Sequence, residues 1–185
     1  MSGFVAMSIN QEDYKGDFLD DLFWLTFYQQ HMGEEYAGLA TYEEGKINIR
    51  THRGHFRPTF GQDTAALEGI LGIGYCGDNR EPILVDTKFG EFAACFTGNI
   101  INHDELVNRL KMQGHSFAWG GVDVDVITKF IAQGDGIVDG IQRMNDVIRG
   151  AYSLSILTPE GIMLISGKFP AREIDGYLMH SIMNI

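Results

Sequence analysis

The chain opens Met1-Ser2-Gly3-Phe4-Val5-Ala6-Met7-Ser8, and the reading of this run decides the fold. It is a short apolar segment with a hydroxyl side chain directly after the initiator Met. Read plainly, residues 1–9 are an ordinary strand of small and apolar residues. Read chemically, they are a catalytic strand whose nucleophile is the first residue of the mature chain. The α-amine left by removal of Met1 would then act as general base for its own side chain, activating Ser2 without a separate His. Met-Ser starts are common, so these eight residues do not separate the two readings. The order of the segments downstream does.

The bulk numbers narrow the field first. A length of 185 residues suits one domain with a sizeable core. Hydrophobic content of 44% and charged content of 21% are ordinary for a globular protein. A formal net charge of -11 argues against nucleic-acid and anionic-membrane partners, which need a basic footprint. No apolar run is long enough to span a bilayer, and no basic-then-apolar signal opens the chain, so a cytoplasmic location is expected. Cys76 and Cys95 make neither a disulfide framework nor a metal signature and read as small buried hydrophobes. His52, His55, His103, His115 and His180 show no metal-ligand spacing, so no metal and no cofactor is expected.

Periodicity gives the elements. Residues 18–31 carry apolar side chains at helical spacing, with Asp17 as N-cap, Asp20 and Asp21 in the first turn and Gly33 as the stop. Residues 36–42 and 46–52 flank Glu43-Glu44-Gly45 as a hairpin. Residues 53–60 read as irregular, and 62–68 as a short helix. Strands are expected at 69–75, 82–86 and 91–97, the last ending at Gly98-Asn99. Asn102 caps a helix to 113, with Glu105 at the capping-box position. Helices at 123–132 and 137–148, a strand pair at 151–157 and 161–166, and a last strand at 176–180 complete the chain. Strands in hairpin-like pairs with helices between the pairs favour antiparallel sheets over a parallel doubly wound one. The glycines of 69–74 follow the period of a buried strand with no helix opening after it, which rules out a dinucleotide loop. Asp104 and Glu105 read as helix first-turn charges.

Five colinear segments then resemble one family. QQHMGEEYAGLATYEEGKINIRTHRG (29–54) is similar to the Q-H-R-G-Q-E-x-A-G-I segment of class II glutamine amidotransferases. GILGIGY (69–75) resembles G-I-G-H-T/V-R, and FTGNIINHDELVNRL (96–110) resembles H-N-G-N-L-V-N-x-x-E-L. VDVDVITKFI (122–131) with IRGAYSLSIL (148–157) resembles S-D-S/T-E-V-I and its later G-A-Y-S-L strand, and DGYLMHS (175–181) the strand ending V-A-S-E. The layout points to the amidophosphoribosyltransferase branch. The resemblance implies an α+β chain with the four-layer αββα N-terminal-nucleophile hydrolase fold: two antiparallel sheets face to face, flanked by helices.

It also implies a chemistry, and here the sequence departs from the pattern. Family members hydrolyse the side-chain amide of glutamine and pass ammonia to a second site, using a nucleophile, an amine base, an oxyanion hole and a carboxylate anchor. The nucleophile position, Cys in the family, is Ser2 here, a weaker nucleophile near neutral pH. An engineered Cys-to-Ser replacement would read the same. The oxyanion hole keeps Gly98 but has Thr97 in place of Asn, and losing one such donor costs about two to three orders of magnitude in rate. The Arg that clamps the substrate carboxylate is replaced by Gly77, with Arg80 the possible substitute three residues on. Asp123 matches the residue that receives the substrate α-amine, with a plain helix N-cap as its alternative. His31 and Gly33 match Q-H-R-G, with Met32 in place of its Arg.

Residues 1–185 are thus expected to be a single amidotransferase type 2 domain, trimmed at the C-terminus relative to the family and without a phosphoribosyltransferase domain. Three readings stay open. One is a degenerate domain acting as a binding or regulatory subunit. The second is a working amidohydrolase that uses the amine of Ser2 on a changed substrate. The third is a purely structural subunit with no ligand. The implied ligand is glutamine or a related amide. The implied partners are a synthase or phosphoribosyltransferase subunit, with a homo-oligomer expected from an exposed sheet edge.

Overall fold

The computed structural model describes residues 2–10, 12, 14–60, 67–117, 121–166, 172–174 and 177–180. The larger sheet is built from β1 (Gly3–Ser8), β2 (Tyr36–Glu43), β3 (Lys46–Arg53), β4 (Leu71–Gly77), β9 (Arg172–Ile174) and β10 (Tyr177–His180), in the order β3-β2-β4-β1-β10-β9. The smaller holds β5 (Ile83–Thr87), β6 (Gly90–Ile100), β7 (Gly150–Thr158) and β8 (Gly161–Ser166) in sequence order. Every neighbouring pair is antiparallel. Helices α1 (Phe18–Phe27) and α2 (Phe56–Phe60) cover the larger sheet. Helices α3 (His103–Met112), α4 (Asp123–Ala132) and α5 (Ile137–Val147) cover the smaller.

Strand alternation sorts the side chains into three apolar layers. Phe4 and Ala6 of β1, Ile73 and Tyr75 of β4 and Ala93 and Cys95 of β6 meet between the sheets. Their sequence neighbours Val5, Met7 and Cys76 turn outward to Phe18, Leu22 and Phe56. Phe92, Phe96, Leu154 and Ile156 turn outward on the other side to Leu106, Ile127, Phe130 and Met144. The result is the helix–sheet–sheet–helix order expected from the resemblance, and β1 lies inside the larger sheet between β4 and β10.

The glycines of 69–74 acquire a packing role. A Cβ on Gly74 would stand 1.8 Å from Thr26 Oγ1, and one on Gly72 would stand 2.7 Å from Leu22 Cδ2. Their absence lets α1 lie down on β4 at backbone distance.

Several boundaries differ from expectation for identifiable reasons. Helix α1 stops at Phe27 rather than 31. The Thr26 hydroxyl donates back to Leu22 O, and the next bonds, Gln29 N–H to Thr26 O and Met32 N–H to Gln29 O, are of the tighter i−3 type. Residues 56–60, read as irregular, form α2; Pro58 falls in a first turn, where its missing N–H has no helical partner to lose. The helix read at 62–68 lies largely outside the described residues, since 61–66 are not described. Strand β6 runs through Gly98 and Asn99 to Ile100, because Gly98 at φ 137° continues the ladder in a conformation other residues avoid.

Asn102 precedes α3 but its side chain does not cap it. It donates to Val147 O at 2.9 Å and accepts Arg149 N–H at 2.9 Å, joining the end of α5 to the start of β7. Glu105 pairs with Arg149 instead of completing a capping box. Asp17 does cap α1, accepting Asp20 N–H at 2.9 Å.

Among the described glycines, the tightest backbone approach is at Gly38 of β2, where a Cβ would meet Glu81 O at 2.0 Å and Pro82 Cδ at 2.4 Å. Because the obstacle is a main-chain carbonyl, it cannot swing away. Gly38→Ala is expected to lower stability by about 1–3 kcal/mol in urea unfolding. Gly136→Ala, whose Cβ meets nothing within 4 Å, should cost under about 1 kcal/mol.

Candidate functional site

Strand β5 begins at Ile83, opposite Ala94, so Phe96 of β6 lies beyond its reach. The two backbone groups of Phe96 are then satisfied by side chains. Its N–H is accepted by Glu81 Oε2, and its carbonyl accepts the hydroxyl of Ser2 at 3.2 Å. The next residue, Thr97, donates its own hydroxyl to the Ser2 carbonyl at 2.7 Å. Ser2, at the head of β1 in the larger sheet, is thereby fastened to the smaller one and is only 8% exposed. Both hydroxyls of the pair stand at hydrogen-bond distance from backbone carbonyls, and Ser2 also hydrogen-bonds the Tyr75 side chain.

Glu81 is completely buried, next to the cis bond to Pro82. Burial pushes its carboxyl well above the usual 4.5, against the smaller downward pull of the Phe96 N–H and the Asn79 and Tyr75 side chains. Oε1 has no partner of acceptable hydrogen-bond geometry among the described residues. The titratable groups that act on Glu81 or on which it acts are Tyr75, Cys95 and Asp123, all acids. Tyr75 is fully buried as well, and its hydroxyl accepts Asn79 N–H at 3.3 Å. Burial raises both its pKa and that of Cys76.

Gly77 closes the same corner. A Cβ there would lie 2.1 Å from the Tyr75 hydroxyl and 2.4 Å from Ser2 Cβ, so no side chain at position 77 fits the present arrangement. Gly98 is also hemmed in, its missing Cβ pointing at Ala151 O at 2.4 Å. Ser2, Thr97 and Gly77 therefore come together, with Gly98 next along β6.

Of the remaining sequence candidates, Asp123 is near enough for its charge to act on Glu81. Arg80 is exposed and lines a pocket of about 580 Å³ between the edge strands β3 and β5, with Thr51, Ile83 and Lys129 on its walls. His31 is exposed in a short 3-10 turn (Gln30–Met32), its Nδ1 2.8 Å from Tyr28 O. Gln29 and Met32, rather than His31, pack onto Gly3 beside Ser2. Asp123 is the first residue of α4, whose N-cap is Val122, so the plain-cap alternative does not describe it. Its Oδ1 stands 2.6 Å from His103 Nδ1. Burial raises the Asp123 pKa, while the His103 hydrogen bond and charge oppose the rise.

Sequence reasoning passed over Glu81 and Tyr75 and weighed His103 only as a metal ligand. For Glu81 the signal was an acidic residue directly before Pro82, flanked by apolar strand on the far side. Tyr75 sits at an inward-facing position of β4 and so had to bury its hydroxyl somewhere. Among the described residues no cluster of His, Cys, Asp and Glu is arranged to hold a metal, and both Cys are free and buried.

Two face-to-face antiparallel sheets between helical layers, with Ser2 heading an inner strand against the second sheet, define the N-terminal-nucleophile architecture of a glutamine amidotransferase domain. The family profile described as "Glutamine amidotransferase domain" matches residues 72–168, just over half of the chain, and the protein belongs to that family. Its sequence is 27% identical over 157 residues to an amidophosphoribosyltransferase of Archaeoglobus fulgidus, covering 76% of this chain and 34% of the relative. It is 29% identical over 142 residues to a glutamine–fructose-6-phosphate aminotransferase of Aquifex aeolicus, covering 70% of this chain and 23% of the relative. The chain thus spans about a third of the length of the amidophosphoribosyltransferases it matches. In fold it superimposes on the glutamine phosphoribosylpyrophosphate amidotransferase of B. subtilis with a TM-score of 0.82 at 21% identity, over 96% of this chain and 41% of that one.

Glu81 makes the site sensitive to pH. Its folded pKa lies above the unfolded value near 4.5, so its contribution to stability is fully present below that value and is lost as pH rises toward the folded pKa. Glu81→Gln keeps an acceptor for Phe96 N–H and removes the ionisation. Thermal melts of parent and Glu81→Gln from pH 4 upward should converge at low pH, with the variant increasingly the more stable above it. A parent that stays parallel to the variant across that range would contradict a protonated Glu81.

Proposed function

We propose that this chain is a class II glutamine amidotransferase domain of amidophosphoribosyltransferase type whose glutaminase site is silent, and that it serves as a binding or regulatory subunit. The observation that carries this reading is that both hydroxyls at the Ser2 corner are engaged with protein groups. Ser2 Oγ donates to Phe96 O, and Thr97, in the oxyanion position, donates to Ser2 O. A donor already turned to a backbone carbonyl is not aimed at a developing oxyanion. Each lost donor removes about two to three orders of magnitude. Gly77 adds a second loss, since it offers no guanidinium for a carboxylate and leaves no room for one. Asp123 adds a third, its carboxylate being taken by His103. Arg80, the possible substitute anchor, lines the pocket between β3 and β5.

In this role the domain would hold glutamine or a related amide weakly or not at all. It would act with a synthase or phosphoribosyltransferase subunit and assemble as a homo-oligomer in the cytoplasm. No helix among the described residues is long and apolar enough to cross a membrane.

A second reading is favoured by the position of Ser2 itself. At the head of an inner strand, a free Ser2 amine after loss of Met1 would be its own general base. An active amidohydrolase or ammonia-releasing amidotransferase would result, or, if Ser2 is an engineered Cys-to-Ser replacement, one with its trigger removed.

Glutamate release from glutamine by the purified chain, beside Ser2→Cys, separates these. Neither protein is expected to make glutamate above background. Release by Ser2→Cys alone would reduce the lesion to the nucleophile. Release by the parent, together with an intact mass lacking Met1, would overturn the silent-site reading in favour of the second.

A further inference from the structure

Tyr75 does something that inter-sheet packing does not require. Its position on β4 faces Phe4, Ala93 and Cys95, surroundings that any large apolar residue would satisfy. Instead a phenol is used, fully buried. Its oxygen ends beside Ser2: the point 2.1 Å from the Tyr75 hydroxyl is also 2.4 Å from Ser2 Cβ. The oxygen is held there from a second direction by Asn79 N–H at 3.3 Å. Glu81 stands next to both, with Oε2 on the Phe96 amide that shares its residue with the acceptor of Ser2 Oγ. The phenol thus fills the corner next to Ser2 from inside the protein.

We propose that Tyr75 is the specificity-determining residue of the Ser2 site, an internal occupant that shuts it to free α-amino acids. The inference rests on the silent-site reading and adds a further physical cause to it: the space beside Ser2 is already filled. An internal occupant competes with any external one, and the apparent affinity of a ligand falls by the fraction of molecules in which the occupant has withdrawn. A buried aromatic ring withdraws rarely, because its burial removes a large apolar area from water. Ser2 and Asn79 hold the oxygen end by hydrogen bonds, and the apolar layer holds the ring.

The test uses the full chain and three variants. L-Glutamine binding is measured by calorimetry for the parent, Tyr75→Phe, Tyr75→Ala and Tyr75→His. Phenol uptake is measured by thermal shift, because a cavity left by a deleted ring takes up a small aromatic. Tyr75→Phe keeps the ring and should stay closed. Tyr75→Ala should take up phenol and bind glutamine at least about tenfold more tightly than the parent. If Tyr75→Ala does not fold, Tyr75→His, with a smaller ring and no phenol oxygen, carries the same glutamine comparison. The proposal is overturned if the parent binds glutamine as tightly as the opened variants, or if a variant that takes up phenol gains no affinity for glutamine. That second outcome would leave the silent-site reading standing, which falls only by glutamate release from the parent.

Discussion

A polar seam joins the two sheets of this protein, and the seam exists because β5 falls short of its neighbour's full length. Where β5 fails to reach Phe96, a backbone N–H and a backbone carbonyl are left facing the interior. Unpaired buried backbone groups are expensive. The chain answers with a carboxyl from Glu81 on the amide and a hydroxyl from Ser2 on the carbonyl. Through Ser2 the first strand of the larger sheet is tied to Phe96 of β6, and Thr97 adds a second tie. The apolar layer of Phe4, Ile73, Tyr75, Ala93 and Cys95 spreads out behind that seam.

The seam is built on the residues that would have to do chemistry. A hydroxyl that completes a backbone hydrogen bond is well placed for folding, and it is correspondingly committed. Glu81 shows the same trade. It satisfies an amide that β5 does not reach, and it does so as a fully buried acid whose pKa is set by burial and by neutral or acidic neighbours. A charged carboxylate there would be heavily penalised, so the group is most stable with its proton on. Gly38 is part of the same arrangement, since only a residue without a Cβ lets the Glu81–Pro82 backbone press against β2.

The order of layers was legible from residues alone because hydrophobic alternation and paired strands carry it. Residues 36–53, with turn residues Glu44 and Gly45 both at positive φ, were a hairpin by sequence and are one in space. Helix α4 begins and ends where its periodicity said. What the sequence hid were contacts made at long range. Asn102 looked like a cap, yet its amide group is drawn to residues 147 and 149, a connection no local pattern contains. The same holds for His103 on Asp123, which needs α3 and α4 to lie side by side. At the candidate site, the substitutions at positions 2, 77 and 97 could be read one by one. The crowding of positions 2 and 77 against Tyr75 could not, because β4 and β1 are brought together only by the sheet.

The crowding at Gly77 fixes an order of events for any lineage passing through this protein. A side chain introduced at 77 collides with Tyr75 and with the Cβ of Ser2, so it costs most while the tyrosine remains and still crowds Ser2 once the tyrosine is gone. A smaller residue at 75 opens a hole in the core but collides with nothing. On the way in, glycine must therefore arrive at 77 before 75 grows to tyrosine. On the way out, 75 must shrink before 77 regains a side chain. Once the tyrosine is in place, a single substitution at 77 cannot reverse it. The way out retraces the way in, and the two positions are bound to change in sequence because they share the geometry of one strand end.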